Sequence, residues 1–292
     1  MMKKLFAAAL LSMTAAAATA VPFGSQSVLV VEDDTGKVLL EKNADRVVPI
    51  ASLTKLMTAM VVLDAKQDMD EPIEIEKADV DTLKHSTSRV PVGATIPRRD
   101  VLQLALMSSD NRAAASLART YPGGIEAFKT AVKHKIIALG MTNTAIEEPT
   151  GLNPANRSTA EDLVKMATAA SRYPEITRIT TDPRDLISIK GREVEYHNTN
   201  RLVGAKGWDI GLSKTGYTQE AGRCLIMKVK AAGKNATLVL LNAGASSVRM
   251  LDALNIRRYV LGDSTTTANA APRAKAVSTR HHVRRAKKRR HN

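Results

Sequence analysis

The chain contains one cysteine, Cys224, in 292 residues. No disulfide can close within it, and no thiolate cage can hold zinc. Aromatic residues are equally scarce, at three Phe, five Tyr and one Trp, too few to build the platforms on which nucleic-acid bases stack. Beyond the N-terminus no run is long and apolar enough to span a bilayer, which excludes a polytopic membrane protein. Acids are in deficit: 29 Asp and Glu face 43 Lys and Arg, a net charge of +14. Such an excess suits nucleic acid, an anionic membrane face or an anionic polymer. The remaining composition, 44% hydrophobic and 25% charged, is that of a globular chain long enough to bury its own core.

The positive charge is unevenly placed. Lys3 and Lys4 precede an apolar stretch from Leu5 to Ala18, and Ala18-Thr19-Ala20 has the small-x-small form of a signal-peptidase site. Residues 1–20 therefore read as a cleaved export signal rather than a membrane anchor, since the stretch is shorter than the roughly 18 to 20 residues a spanning helix needs. Export to a bacterial periplasm follows, and it argues against nucleic acid as a partner. Residues 264–292 carry nine Lys or Arg and no acid among Ala, Thr and His. A segment without apolar periodicity reads as a disordered basic tail. Residues 21–263 then keep a net charge of only +3.

Within that body, Ser27 to Val31 and Lys37 to Glu41 are β-rich runs around the turn residues Asp33-Asp34-Thr35-Gly36, the pattern of a hairpin. Ser52 to Asp64 is long and apolar enough for a buried helix. Further helical patterns cover Arg99 to Met107, Ala113 to Arg119, Ile125 to Leu139 and Thr159 to Tyr173, the last with Ser158 as N-cap. Three β runs, Asp209 to Thr215, Arg223 to Lys230 and Ala236 to Asn242, precede a closing helix from Ser246 to Leu261. This order predicts an α+β fold. One antiparallel sheet is assembled from both chain ends, beside an all-helical insert over about residues 52–185.

Three short motifs could carry chemistry. Ser52 and Lys55 stand three apart, on one face of a helix, where a serine beside an amine can be a nucleophile with its base. One S-x-x-K match is also what chance supplies, with Ser52 a cap and Lys55 solvated. Leu53, Leu56, Met57 and Met60 around Lys55 instead suggest a buried lysine. Ser109-Asp110-Asn111 lies between two helical patterns, where a capped loop is the plainer reading. Lys214-Thr215-Gly216 ends a β run and equally reads as a strand terminus before a glycine turn. The histidines His85, His134 and His197 form no ligand spacing, and Cys224 reads as a small core residue. No metal or cofactor is expected in the body. His281, His282 and His291 could at most hold a metal weakly in the tail.

Taken together and in this order, S-x-x-K, S-x-N and K-T-G resemble the penicillin-recognising serine acyltransferases, the family of D,D-peptidases and serine β-lactamases. The likeness extends to Pro49 through Ala59, Leu106 through Ala114, Leu139-Gly140-Met141 with Glu148-Pro149-Thr150-Gly151-Leu152, and Lys214 through Thr218. These are similar to the low-molecular-mass penicillin-binding proteins, above all the D-alanyl-D-alanine endopeptidases, over roughly Ser25 to Leu261. The resemblance implies the β-lactamase/D,D-peptidase-like fold, a five-stranded antiparallel sheet flanked by helices. It also implies an acyl-enzyme on Ser52, formed with D-alanyl peptides of peptidoglycan or with β-lactams as covalent inhibitors.

In that scheme Lys55 is the general base and Ser109 the proton relay. Asn111 positions the substrate amide, and Lys214 and Thr215, beside Gly216, bind its carboxylate. The backbone amides of Ser52 and Tyr217 form the oxyanion hole. At an ordinary pKa about one lysine in 2,500 is neutral at pH 7; burial and the charge of Lys214 are both expected to lower the pKa of Lys55. A class A β-lactamase is one alternative. It needs E-x-x-L-N, and here Glu148 to Asn153 is one residue too long. A non-catalytic wall-binding or β-lactam-sensing module is the other. The basic tail is expected to hold the enzyme against anionic lipid or envelope polymer.

Overall fold

The computed structural model describes residues 23–262; the expected export signal and basic tail lie outside them. Strands β1 (Ser27–Glu32) and β2 (Val38–Lys42) form the expected hairpin, with Gly36 at φ +71° in its turn. A short β3 (Val48–Pro49) leads through a 3-10 turn, Ala51–Leu53, into α1 (Thr54–Asp64). Every residue of α1 from Thr54 to Val62 is buried, as befits a helix apolar on all sides. Strands β4 (Pro72–Glu74) and β5 (Thr95–Pro97) pair with each other. Helices α2 (Arg98–Leu106), α3 (Asn111–Arg119) and α4 (Gly124–Ala138) follow, packed around α1.

The insert is therefore not purely helical. Strand β6 (Arg157–Ser158) pairs with β3, so Ser158 is a strand residue. Its neighbour Thr159 takes the capping role expected of Ser158, accepting a hydrogen bond from the Asp162 amide at 3.1 Å to open α5 (Ala160–Ala170). Helix α6 (Pro174–Thr181) begins with proline at its first position, where the missing N–H costs nothing. A hairpin of β7 (Arg184–Ile189) and β8 (Arg192–His197) then stands apart from the main sheet, with Ile187 and Ile189 turned inward.

Strands β9 (Asp209–Thr218), β10 (Gly222–Ala231) and β11 (Lys234–Ala243) complete a five-stranded antiparallel sheet in the order β2-β1-β11-β10-β9. The sheet joins the two chain ends as expected, β1 lying beside β11 with Ser27 opposite Leu241. Lys214-Thr215-Gly216 lies inside β9 rather than at its end, because pairing with β10 continues to Thr218 opposite Gly222. Both faces of the sheet are covered. Leu29, Ile226, Val239 and Leu241 point into the core shared with the helical lobe. Val28, Val30, Leu225, Met227, Leu238 and Leu240 point to the other face, under α7 (Ser246–Asn255) and a π turn, Ile256–Val260. The alternation is the period of two of a strand.

Asp252 on α7 ties the first strand into this layer. Its buried carboxylate accepts from the Gly24 amide at 3.0 Å and from the Ser25 amide and hydroxyl, both at 2.7 Å. Asp252→Ala strands three donors at the point where the chain enters the sheet. The expected loss is about 3 kcal/mol, read as a lower urea midpoint with the slope of the unfolding transition unchanged.

Candidate active site

The Ala51–Leu53 turn holds Ser52 at the junction of sheet and helices, half-buried, with Ala51 at φ +47°. One turn on, Lys55 is 1% exposed, and its ammonium has three acceptors: Ser52 Oγ at 2.9 Å, Asn111 Oδ1 at 2.7 Å and the Thr150 carbonyl at 2.7 Å. A lysine has three N–H donors, so this set is complete. Burial lowers the Lys55 pKa to about 8, against the opposing pull of Glu148, Asp110 and Asp81. The repulsion expected from Lys214 acts the other way round: Lys214 is itself lowered well below the usual lysine range, by burial first and then by Lys55 and Arg249.

The gap between α2 and α3 presents Ser109 at φ +60°, a conformation unfavourable for a residue with a side chain. Asp110 holds it there by capping α3, accepting from the Ala113 amide at 2.9 Å and from Ser88 Oγ at 2.7 Å. Ser109 Oγ accepts from Lys214 Nζ at 2.8 Å. Asn111 opens α3 and donates its Nδ2 to Ser86 Oγ at 2.8 Å, which leaves its Oδ1 facing Lys55. On β9, Thr215 donates to Thr199 Oγ1 at 2.6 Å. A Cβ on Gly216 would lie 3.0 Å from the Ile50 carbonyl and 3.1 Å from the Ser52 amide nitrogen. Strand and turn thus approach backbone to backbone, with the peptide of Tyr217 next along the strand.

All eight residues expected at the site are therefore brought together around one cleft. Ser52, Asn111, Leu152, Tyr217 and Thr218 line a cavity of about 400 Å³. Tyr217 is half exposed at its rim, with the Arg223 guanidinium 3.4 Å from its ring centroid. Lys84, which lines the same cavity, forms an ion pair with Glu220. Lys214 is more deeply set than a carboxylate binder alone requires, since its amine touches Ser109 and the Thr215 carbonyl. Among the described residues no group of three or more His, Cys, Asp or Glu is placed to hold a metal. Cys224 is a buried core thiol, pushed up to about 11 by burial.

Sequence reasoning singled out Glu148 to Leu152 only as part of a family likeness and gave the segment no role beside Lys55, whose surroundings it completes. Glu148 gathers its own loop around its carboxylate, accepting from the Thr150 amide at 2.7 Å, the Gly151 amide at 2.6 Å and Asn156 Nδ2 at 3.0 Å, and from the Thr150 hydroxyl. That nest aims the Thr150 carbonyl at Lys55. Gly151, at φ +86°, lets the loop lie on the turn of Ser52, where a Cβ would meet the Ala51 carbonyl at 1.9 Å. The Glu-Pro-Thr-Gly segment is a visible turn signal. No spacing rule connects it to Lys55, 95 positions away.

The family model described as D-alanyl-D-alanine carboxypeptidase matches residues 13–245. A D-alanyl-D-alanine endopeptidase of Pseudomonas aeruginosa is 46% identical over 252 residues, 86% of this chain and 81% of the relative. Its counterpart in Escherichia coli is 42% identical over 259 residues, 87% and 84% of the two chains. Among solved structures, a Streptomyces DD-transpeptidase superposes with a TM-score of 0.76 at 26% identity, covering 82% of this chain and 97% of that one. A Listeria monocytogenes penicillin-binding protein in its ampicillin-bound form gives 0.69 at 28% identity, covering 81% and 96%.

Glu148→Gln keeps the size of the side chain but turns an amide N–H group toward backbone donors. The expected outcome is a folded protein whose Ser52 reacts about a hundredfold more slowly with an acylating agent, because the Thr150 carbonyl no longer holds the lysine in place. Stopped-flow measurement of the acylation rate checks it.

Proposed function

The chain belongs to the D-alanyl-D-alanine carboxypeptidase family, and on that ground we propose that it is a serine D,D-peptidase which cuts D-alanyl peptide bonds of peptidoglycan cross-links and is acylated by penicillins. The observation that carries this reading is the Lys55 amine, buried and within 2.9 Å of Ser52 Oγ. A pKa of about 8 leaves about one Lys55 in ten neutral at pH 7. Neutral, the amine accepts the Ser52 proton as the hydroxyl attacks the carbonyl of the penultimate D-alanine. The oxygen of the tetrahedral adduct lies against the Ser52 and Tyr217 amides, each worth about 10² to 10³ in rate. Ser109 relays that proton to the leaving amine, and Thr215 with Lys214 receives the adjacent carboxylate. Asn111 orients the substrate amide. Water then hydrolyses the ester.

The β-lactamase alternative asks Glu148 to activate that water. Both of its carboxylate oxygens are already engaged by its own loop and by Asn156, so acylation by a β-lactam outlasts turnover. The intact nucleophile, base and relay argue against a purely binding role. Cleavage between cross-linked peptides, rather than release of a terminal D-alanine alone, follows the activity named for the two endopeptidase relatives. The N-terminal pattern of residues 1–20 supports export to the periplasm. The nine cations of residues 264–292 support electrostatic attachment to anionic lipid or envelope polymer.

Ser52→Ala is expected to abolish both labelling by a fluorescent penicillin and cleavage of cross-linked muropeptides, with the melting curve retained; persistence of either activity removes Ser52 from its role. The acylation rate of the unaltered enzyme rises with pH to a midpoint near the Lys55 pKa of about 8, because only the neutral amine accepts a proton. A chain truncated after Asp263 is expected to leave the membrane and wall fraction at low salt, where the full chain stays.

A further inference from the structure

A second cavity adjoins Thr215 of β9 through its partner Thr199. Tyr217 and Thr218 line the cavity at Ser52, whereas Thr215, earlier on the same strand, bonds to Thr199 at 2.6 Å. Thr199 belongs to this second cavity, of about 640 Å³, walled by Pro183, Asn198 and Arg201 among others. Its amide donates to the Met107 carbonyl at 3.1 Å, two residues before Ser109. The second cavity therefore opens beside both groups that meet a leaving residue: Ser109, which supplies the proton, and Thr215, which receives the carboxylate.

The walls are preorganised. Asn198 donates to the Thr180 and Asp182 carbonyls at 3.1 and 3.0 Å, and Asn200 donates to Ser213 Oγ at 2.8 Å. Both amides are consumed in shaping the segment. Thr199 and Arg201 remain with exposed side chains. Among the described residues no carboxylate pairs with Arg201. Two acids of the adjoining segments are held elsewhere, Asp182 by Arg178 at 3.5 Å and Glu195 by Arg184 at 3.2 Å. The cavity's volume lies within the roughly 300 to 1,000 Å³ of ligand pockets.

A terminal D-alanine needs none of this space, since beyond its carboxylate it carries only a methyl group. The leaving residue of a cross-link continues into a second stem peptide that bears further carboxylates. We propose that the cavity between Pro183 and Arg201 is the subsite for this leaving peptide, an anionic chain that enters past Thr199 and is held by Arg201. The proposal rests on the peptidase reading above. It places the choice between cross-link cleavage and terminal D-alanine release outside the catalytic residues.

The test compares the full chain with Arg201→Glu and Arg201→Lys on two substrates: a purified cross-linked muropeptide dimer and an uncross-linked pentapeptide ending in D-alanyl-D-alanine. The ratio of kcat/KM for the dimer to that for the pentapeptide should fall about tenfold in Arg201→Glu, the effect of losing one charge-assisted contact. The loss should appear in KM, and Arg201→Lys should retain most of the ratio. A wild-type enzyme that cuts the dimer with a ratio unmoved by Arg201→Glu overturns the subsite and leaves the peptidase reading standing. A wild-type enzyme that penicillin acylates, yet that cuts neither substrate, overturns that reading and the subsite with it.

Discussion

The burial of one lysine amine against three fixed acceptors is the constraint on which the rest of the structure depends. An ammonium taken out of water survives only where each N–H finds a partner. For Lys55 those partners come from three separated parts of the chain: its own helix turn, the start of α3 and the loop at Thr150. None of the three holds itself in place. Ser52 is set by a 3-10 turn with a left-handed residue before it, Asn111 by Ser86, and Thr150 by the carboxylate of Glu148. The geometry around Lys55 is thus the sum of local devices that each spend hydrogen-bonding capacity inside the protein.

Burial and charge act in opposition at this centre, and their balance sets its chemistry. Desolvation lowers Lys55 toward neutrality while Glu148, Asp110 and Asp81 resist, leaving the amine near a pKa of about 8, close enough to physiological pH to give and take a proton. Those acids are also structural: Asp110 caps a helix, and Asp81 accepts from the amides of Leu83, Lys84 and Ser86 in the loop that presents Ser86 to Asn111. Lys214, the second buried lysine, is pushed well below the usual lysine range by burial and then by Lys55 and Arg249. Two lysines in one water-poor cleft favour an anionic adduct at Ser52, which is the species an acyl transfer must stabilise.

Much of this was legible beforehand. The apolar run of Ser52 to Asp64 announced a buried helix, and the three motifs pointed to Ser52, Lys55, Asn111, Ser109 and Lys214, which the structure brings together. Strand pairing between chain ends followed from the order of β runs. What was misjudged is local and has a physical cause. Ser158 and Thr159 are both good caps, and pairing of Ser158 with Val48 decided between them. Lys214-Thr215-Gly216 reads as a strand end because glycine breaks strands, yet the ladder to β10 continues. There the missing side chain serves the close approach to Ser52.

The sequence by itself determined the type of chemistry, because S-x-x-K, S-x-N and K-T-G in succession, with the segments around them, resemble one family of serine acyltransferases, although each motif alone reads equally well as a cap or a turn. It also determined the layered α+β plan, since hydrophobic period sets which face of each element is buried. Only the tertiary structure decided which groups would touch Lys55, where the Glu148 carboxylate would point, and that a second cavity would open beyond Thr215. Those outcomes rest on contacts between segments tens of residues apart, and no periodicity or spacing encodes a distance across space.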